Sequence, residues 1–260
     1  MKKILRYLFE LRFLPNVSSF LFNSETWLRS LPLKRFLQMI DPEKKKRIID
    51  IGGGTGRLEL ALKRTDVYIY DTNNESINIA KQYFENAIIG TGTMIEFEDN
   101  LFDWAISVHT LEHIPKNDRK KFILEMIRIS KEGIFLNFPE GGFAKKVCIN
   151  FLDRLNKNGK EPNKWTVEHL ETGVPKVEEI MNIIKEQDKF IFQYKFIRNY
   201  DVENYYWENI RASKNVFKVY FLSPFNSLMK YINYTKKPTI ELILIGSKTG
   251  SCAKELFRKI

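Results

Sequence analysis

The stretch Ile49-Asp50-Ile51-Gly52-Gly53-Gly54-Thr55-Gly56-Arg57 decides the fold of this chain. An apolar run as long as a buried strand passes directly into four glycines within five positions, and a helical pattern follows. Glycine lets the backbone turn sharply and lets a ligand lie against it where a Cβ atom would intrude. The stretch therefore predicts a strand, a ligand-binding loop and a helix in direct succession.

The spacing of these glycines separates the loop from two other phosphate-binding loops. Gly52, Gly54 and Gly56 alternate, whereas the dinucleotide fingerprint is Gly-x-Gly-x-x-Gly and a P-loop ends in Lys-Ser/Thr. Fifteen residues after Gly56, a second apolar run ends at Asp71. Open α/β sheets bind ligands at the carboxyl ends of their strands. We expect Asp71, with Thr72 beside it, to lie next to the loop and to accept hydrogen bonds from ribose hydroxyls.

Strand and helix patterns alternate through the middle of the chain. Nearly continuous apolar strands joined by helices are typical of a parallel sheet that helices cover on both faces, so the sequence predicts a doubly wound α/β domain. The predicted strands lie at 48–51, 67–70, 87–89, 104–108, 134–138 and 190–196, with a final strand at 239–246. We divide the chain into an N-terminal helical cap (1–46) and the domain itself (47–260), with insertions at about 140–175 and 200–237 after the fifth and sixth strands. The first insertion shows no clean helical period and is predicted to be a loop or cap.

Composition places the chain among ordinary globular proteins. It has 260 residues, of which 43% are hydrophobic and 28% charged, which excludes disordered and coiled-coil classes. Two cysteines, Cys148 and Cys252, give no disulfide framework and favour a reducing compartment. No apolar run approaches the roughly 20 residues that span a bilayer, and charges interrupt the apolar part of the N-terminus. We expect a cytoplasmic protein, with contact at the inner face of the membrane left open.

The net charge of +10 is unevenly distributed. Residues 1–47 and 195–260 each carry an excess of +7, and residues 48–194 carry −4. Basic flanks attract phosphate, whether in nucleic acid, in a phosphorylated substrate or in an anionic membrane. Alternatively, the excess of Lys and Arg reflects the general composition of the chain and only keeps its surface soluble. The sequence favours the two explanations equally.

In their order along the chain, these motifs resemble those of the class I S-adenosylmethionine-dependent methyltransferases. Asp50 to Gly56 is similar to the family's Asp-x-Gly-x-Gly-x-Gly signature, and Asp71 falls at its ribose-binding acid. The run from Phe102 to Ser107 resembles the family's fourth-strand motif, and Leu111 to Pro115 the segment after it. The resemblance covers about residues 47–140. It implies a Rossmann-like, seven-stranded sheet whose last strand is antiparallel, and S-adenosylmethionine as cofactor.

The resemblance also assigns the cofactor contacts. The glycine loop would face the methionine part, and Asp71 the ribose. After the third strand the family often has an acid that binds adenine, and Thr91 stands there in this chain. The predicted cofactor-binding set is Asp50, Gly52, Gly53, Gly54, Gly56, Asp71, Thr72, Thr91, Gly92, Thr93, Met94, His109 and Thr110.

His109-Thr110-Leu111-Glu112-His113 has the His-x-x-Glu-His pattern of a zinc peptidase class. Because it follows a buried strand in a methyltransferase register, we expect no metal there and place His109 and Thr110 at the strand's carboxyl end, near the sulfonium. A base is needed when the methyl acceptor carries a proton, and histidine titrates near neutral pH. His109 and His113 are the catalytic candidates and His169 is third; a structural role in the loop is the alternative for each.

The predicted capping segments are rich in aromatic residues, which suit sugar rings, lipids or planar metabolites. The run from Trp165 to Glu171 is similar to a segment in methyltransferases of cell-surface glycan assembly. We therefore predict an enzyme that methylates a small-molecule or saccharide-like acceptor, at oxygen. Two alternatives remain open. One is an RNA methyltransferase that uses the basic flanks, and the other is a non-catalytic protein of the same fold that binds a membrane surface or a partner.

Overall fold

The computed structural model describes residues 24–187, 190–215, 222–233 and 237–248. The first half of the predicted N-terminal cap, residues 1–23, and Cys252 lie outside the described residues. The strands are β1 (Ile48–Ile51), β2 (Tyr68–Asp71), β3 (Ala87–Ile89), β4 (Phe102–Val108), β5 (Ser130–Pro139), β6 (Ile191–Asn199) and β7 (Thr239–Ser247). The helices are α1 (Ser24–Ile40), α2 (Arg57–Ala61), α3 (Asn74–Ala80), α4 (Arg119–Ile129), α5 (Gly141–Lys157), α6 (Lys164–Thr172), α7 (Val177–Lys185), α8 (Tyr200–Tyr205), which continues as a π-helix (Tyr206–Arg211), and α9 (Ser223–Ile232).

All seven strands form one sheet in the order β3-β2-β1-β4-β5-β7-β6. β7 runs antiparallel to both β5 and β6, and the pairs from β3 across to β5 are parallel. This confirms the predicted doubly wound, Rossmann-like sheet with an antiparallel last strand. The chain moves outward from β1 to β2 and β3, then returns to place β4 on the other side of β1. The carboxyl ends of β1 and β4 therefore flank the point where the strand order reverses, which is where such sheets bind ligands.

Helices cover both faces of the sheet. On one face, Phe36 of α1 packs against Trp104 of β4 and Phe135 of β5, with ring centroids 5.0 and 4.7 Å apart. On the other face, α4 and α7 pack against the sheet through fully buried residues such as Phe122 and Ile180. The central strands are buried from both sides, as their continuous apolar sequences predict.

The described part of the N-terminal cap is one helix. The sequence suggests short helices separated at Pro32, but α1 continues through that residue. Leu28, Leu33 and Phe36 are completely buried on the face that this helix turns inward. Burying a large apolar side chain contributes about 1.5–3 kcal/mol, whereas a proline inside a helix costs about 3 kcal/mol. Three such side chains outweigh the proline.

The segment 140–175 is helical for most of its length, so of the two predicted alternatives, a loop or a cap, the loop is wrong there. α5 buries Ala144, Val147, Phe151 and Leu155 at spacings of three and four residues. That period is present in the sequence, but two glycines at its start and the many polar residues around it obscure it. α6 follows after a short connection and packs against α5. Among the described helices, none is both long and apolar enough to cross a bilayer.

Candidate active site

The glycine loop joins β1 to α2 in a conformation that other residues rarely adopt. Gly52, Gly54 and Gly56 have φ angles of 82°, 56° and 70°. A Cβ atom on Gly52 would lie 2.2 Å from Oγ1 of Thr110, and one on Gly56 would lie 2.2 Å from the ring of Phe84. A Cβ atom on Gly54 would meet no heavy atom closer than 4.0 Å. The loop is thus packed tightly at both ends and leaves open space above Gly54.

Asp71 lies beside this loop at the end of β2. Its Oδ2 accepts a hydrogen bond of 2.9 Å from the backbone N–H of Gly54, and its Oδ1 accepts one of 2.8 Å from that of Asn73. The side chain is partly exposed. Each carboxylate oxygen can accept two hydrogen bonds, so both oxygens keep capacity for ligand hydroxyls. The two backbone bonds fix the carboxylate in place for that task.

A cavity of about 960 Å³ opens at this edge of the sheet. Its lining includes most of the predicted cofactor residues, namely Asp50, Gly52, Gly53, Gly54, Asp71, Thr72, Gly92, His109 and Thr110. The opposite wall is formed by side chains of α1, α5, α6 and the π-helix, among them Arg29, Cys148, Phe151, Trp165, His169 and Trp207. One cavity therefore joins the glycine loop to the segments predicted to cap the site.

The segment after β3 reaches the cavity through its glycines. Gly90 and Gly92 line it, while Oγ1 of Thr91 bonds to Oγ1 of Thr93 at 3.0 Å near the surface. Met94 is 66% exposed. A Cβ atom on Gly92 would lie 2.5 Å from the ring of Phe122. Among the described residues, Thr91, Thr93, Met94 and Gly56 do not line this cavity.

Asp50 borders the cavity from beneath the loop and is almost completely buried. Its Oδ2 lies 3.0 Å from where a Cβ atom on Gly53 would be. Burial and the neighbouring carboxyl of Glu59, which is also buried, raise the pKa of Asp50 well above its usual range. The raised pKa favours the protonated form of Asp50 beneath the loop.

His109 follows β4 with a φ of 55° and is held between two carboxylates. Its Nδ1 lies 3.1 Å from Oε1 of Glu112, and its Nε2 lies 3.0 Å from Oε1 of Glu241. Burial and the charge of Arg29 lower the pKa of the imidazole, but the charge of Glu241 and the hydrogen bonds to both glutamates outweigh them and raise it above its usual value. Contact with His109 holds the pKa of Glu112 at about 2 against the effect of burial, and His109 and Arg198 do the same for Glu241. The buried imidazole of His109 thus lies between two carboxylates.

The chain of charges continues away from the cavity. Oε2 of Glu241 accepts a bond of 2.9 Å from Nη1 of Arg198, whose Nη2 lies 2.8 Å from Oε1 of Glu203. Nζ of Lys230 lies 2.8 Å from Oε2 of Glu203. Glu241, Arg198, Glu203 and Lys230 are each at most 4% exposed. Sequence reasoning missed this network, although a lone glutamate inside the apolar strand Thr239–Ser247 is a signal for a buried partner.

A second polar cluster lies at the acceptor-side wall. Nε2 of His113 is 3.2 Å from Nε2 of His169, and Nε2 of His169 is 4.0 Å from Oε1 of Glu112. Burial lowers the pKa of His169 to about 4, and the charges of His113, His109 and Arg29 add to this effect against that of Glu112. His169 is therefore neutral at pH 7 and lies with His113 in the cavity lining. Trp165 packs its ring against that of His113 at 5.2 Å between centroids.

The strand order, the alternating-glycine loop after β1 and the carboxylate after β2 are the features that the resemblance to class I S-adenosylmethionine-dependent methyltransferases implies. Residues 49–137 match the family described as "Methyltransferase domain". The match lies within the part of the chain that this resemblance covers.

The chain is similar to several methyltransferases. It is 32% identical over 109 residues to ajmaline N-methyltransferase of Rauvolfia serpentina, a match of 36% of this chain and 35% of that protein. The chain thus spans about a third of the length of this curated relative. The plantazolicin methyltransferase BpumL, solved with a monoazolic desmethylPZN analog and SAH, superposes with a TM-score of 0.55 at 12% identity, over 95% of this chain and 90% of that one. A SAM dependent methyltransferase from Archaeoglobus fulgidus gives 0.51 at 18% identity, over 84% and 94%. At these identities the two structures show a shared fold.

Proposed function

We propose that this chain transfers a methyl group from S-adenosylmethionine to a small-molecule acceptor, with the hydroxyl oxygen of a saccharide-like compound as the favoured target. The observation that carries the proposal is the single cavity that joins the glycine loop and Asp71 to the polar cluster of His113 and His169. Ligand pockets usually measure about 300–1,000 Å³. The volume of about 960 Å³ is at the upper end of that range, as expected for two ligands side by side.

The residues present fit the cofactor. The open space above Gly54 would receive the methionine part, where any side chain would intrude. Asp71 would accept the ribose hydroxyls with the lone pairs that its two backbone bonds leave free. Gly90 and Gly92 would let the adenine approach the backbone after β3. When bound, the cofactor supplies a methyl group already activated by positive sulfur, so the protein has chiefly to position the acceptor and exclude water.

Of the two catalytic candidates, His113 is better placed than His109 to receive a proton from the acceptor. Both ring nitrogens of His109 are engaged by glutamates, and its pKa is raised above the usual value, which makes it less ready to release a proton once bound. His109 would act as a positioning residue that fixes Glu112 and Glu241. His113 and His169 share the cavity wall with Trp165, and the lowered pKa of His169 leaves it neutral and able to accept a hydrogen bond.

A small acceptor fits this site better than RNA does. The cavity lining holds as many acidic as basic residues, so it has no excess of positive charge to hold RNA phosphates. RNA binding would also weaken steeply with salt because phosphate neutralisation releases counterions. A cytoplasmic location and contact of the basic flanks with a membrane remain predictions, as does the choice of oxygen. The Rauvolfia relative is named for methylation at nitrogen.

Calorimetry with S-adenosylmethionine and S-adenosylhomocysteine tests the cofactor half of the proposal. We expect one binding site, and we expect Asp71→Ala to weaken binding at least tenfold because it removes the ribose acceptor. Glu85→Gln is the matched control, since Glu85 is an exposed acid in the loop before β3. Absence of binding by the unaltered chain would overturn the proposal and favour a non-catalytic role.

The acceptor half is tested by incubating the protein with methyl-labelled cofactor and a panel of saccharides, phenols and amines. We expect label on a hydroxyl compound at moderate salt, with mass spectrometry locating the new methyl group on oxygen. Label on an amine would correct the atom, and label on RNA with a steep salt dependence would overturn the small-molecule assignment.

A further inference from the structure

We propose that Glu112, His113 and His169 form a binding site for a divalent cation of the Zn²⁺ or Co²⁺ type at the acceptor end of the cavity. Each residue offers one ligand atom, and these atoms lie within 4.8 Å of one another. The set differs from the one that the His-x-x-Glu-His pattern indicates, because His109 is engaged by Glu241 and His169 takes its place. The expectation that no metal binds was based on the methyltransferase register of the pattern and on the distance of His169 along the chain.

The distances fit tetrahedral coordination. With metal–nitrogen bonds of about 2.0–2.1 Å, two ligands of a tetrahedral ion lie about 3.3 Å apart. The two Nε2 atoms of His113 and His169 are 3.2 Å apart, close to that value. Oε1 of Glu112 lies 4.0 Å from Nε2 of His169, so a small side-chain rotation would complete the set.

Glu112 supplies the independent sign of a missing ligand. The residue is 1% exposed, and its Oε2 has no hydrogen-bond partner among the described residues. A buried ionised carboxylate oxygen without a partner is costly. Its other oxygen is held by His109, which orients the carboxylate towards the two histidines. The carboxylate oxygen that lies 4.0 Å from Nε2 of His169 is Oε1, so a rotation of the carboxylate would offer the bare Oε2 to a cation held by the two histidines.

The surroundings orient the imidazoles as metal sites require. Nδ1 of His113 lies 3.1 Å from Oε2 of Glu168 without the alignment of a hydrogen bond. A modest rotation of either side chain would align the two atoms, with the proton on Nδ1 and the Nε2 lone pair towards His169. Nδ1 of His169 faces Sγ of Cys148 at 3.9 Å. Three protein ligands with a fourth position open to a cavity are typical of catalytic rather than structural zinc sites. All three ligands line the cavity, so the open position would face the acceptor.

The proposal that a cation binds depends only on these contacts. The proposal that the cation takes part in methyl transfer rests on the proposed function. A bound cation would hold the acceptor hydroxyl and favour loss of its proton to water. The oxygen would then form the new bond to the methyl carbon, and the electron pair of the broken carbon–sulfur bond would neutralise the sulfonium. His113 and His169 would serve as ligands instead of accepting that proton themselves.

The test is titration of Co²⁺ into protein dialysed against chelator, with any affinity tag removed, followed by its visible absorption and by displacement with Zn²⁺. We expect one equivalent of Co²⁺ to bind. His169→Ala and His113→Ala should each abolish the spectrum. Glu168→Gln should weaken Co²⁺ binding about 10–100-fold, as loss of an orienting partner does. Glu171→Gln, on the exposed side of α6, is the matched control and should bind normally.

Calorimetry with S-adenosylhomocysteine runs in parallel on every variant. Retained cofactor binding shows that the variant is folded, and His169→Gln replaces any alanine variant that fails this check. Absence of Co²⁺ binding by the unaltered protein, or equal binding by both histidine variants, would overturn the metal site and leave the cofactor assignment intact. Absence of cofactor binding with an intact Co²⁺ spectrum would overturn the proposed function instead.

Discussion

Nε2 of His109 lies 3.0 Å from Oε1 of Glu241, a residue 132 positions further along the chain. The contact joins the end of β4, in the segment that matches the methyltransferase family, to β7, which lies beyond it. Through Arg198 the same glutamate is linked to Glu203 and Lys230. The position of His109 after β4 therefore depends on the charge of Glu241 in β7.

We expect Glu241→Gln to lower the free energy of unfolding by about 3–5 kcal/mol, since it removes one partner of a buried ion pair and leaves Arg198 and His109 under-compensated. The matched control is Glu186→Gln, because Glu186 pairs with Lys120 at 2.7 Å on the surface, where both side chains are more than half exposed. That change should cost about 0–1 kcal/mol. Chemical denaturation measures both, and equal costs would contradict the assignment of a buried network.

Gly52→Ala should abolish cofactor binding. The new Cβ would lie 2.2 Å from Oγ1 of Thr110, and the φ of 82° is itself strained for alanine by about 1–2 kcal/mol. Gly142→Ala is the matched control: its Cβ would meet nothing within 4 Å, and it lies in the first turn of α5. We expect that control to bind S-adenosylhomocysteine as the unaltered protein does, with equal or slightly greater thermal stability. Unchanged affinity in Gly52→Ala would show that the loop is not the cofactor site.

The buried Asp50 predicts a pH dependence of stability. Burial and Glu59 raise its pKa in the folded state above the ordinary value of 3.8, so the folded protein binds a proton that the unfolded chain releases. This contribution to stability is therefore lost progressively as the pH rises from about 4 through the raised pKa. Asp50→Asn cannot ionise, so its free energy of unfolding should fall less between pH 5 and pH 8 than that of the unaltered protein.

Urea unfolding at several pH values gives the comparison for Asp50, with the exposed Glu85→Gln as control. Parallel pH profiles for the unaltered protein and Asp50→Asn would show that Asp50 is ionised in the folded state.

The glycine loop and Asp71 were predictable from the sequence. Alternating glycines, a strand of fixed length and Asp71 all lie within 23 residues of one another, so local spacing determines their positions. The cluster of His113 and His169 was not predictable, because the two residues are 56 positions apart, with α4, β5 and α5 between them. Nor was the pairing of His109 with Glu241, which depends on β7 inserting between β5 and β6. Such contacts depend on how helices and strands pack in three dimensions. No regular spacing of residues in the sequence predicts them.

The lining of the cavity comes from different parts of the chain. Arg29 and Thr26 reach the cavity from a helix that precedes the family match, and Trp165 and Trp207 reach it from segments that follow the match. The matching residues 49–137 supply the glycine loop and Asp71 on the cofactor side, and also Glu112 and His113 of the acceptor-side cluster. His169, the third member of that cluster, lies on α6 outside the match. The acceptor end of the cavity is thus assembled from both parts of the chain, so a change in the flanking segments alone would reshape that end and leave the glycine loop and Asp71 in place.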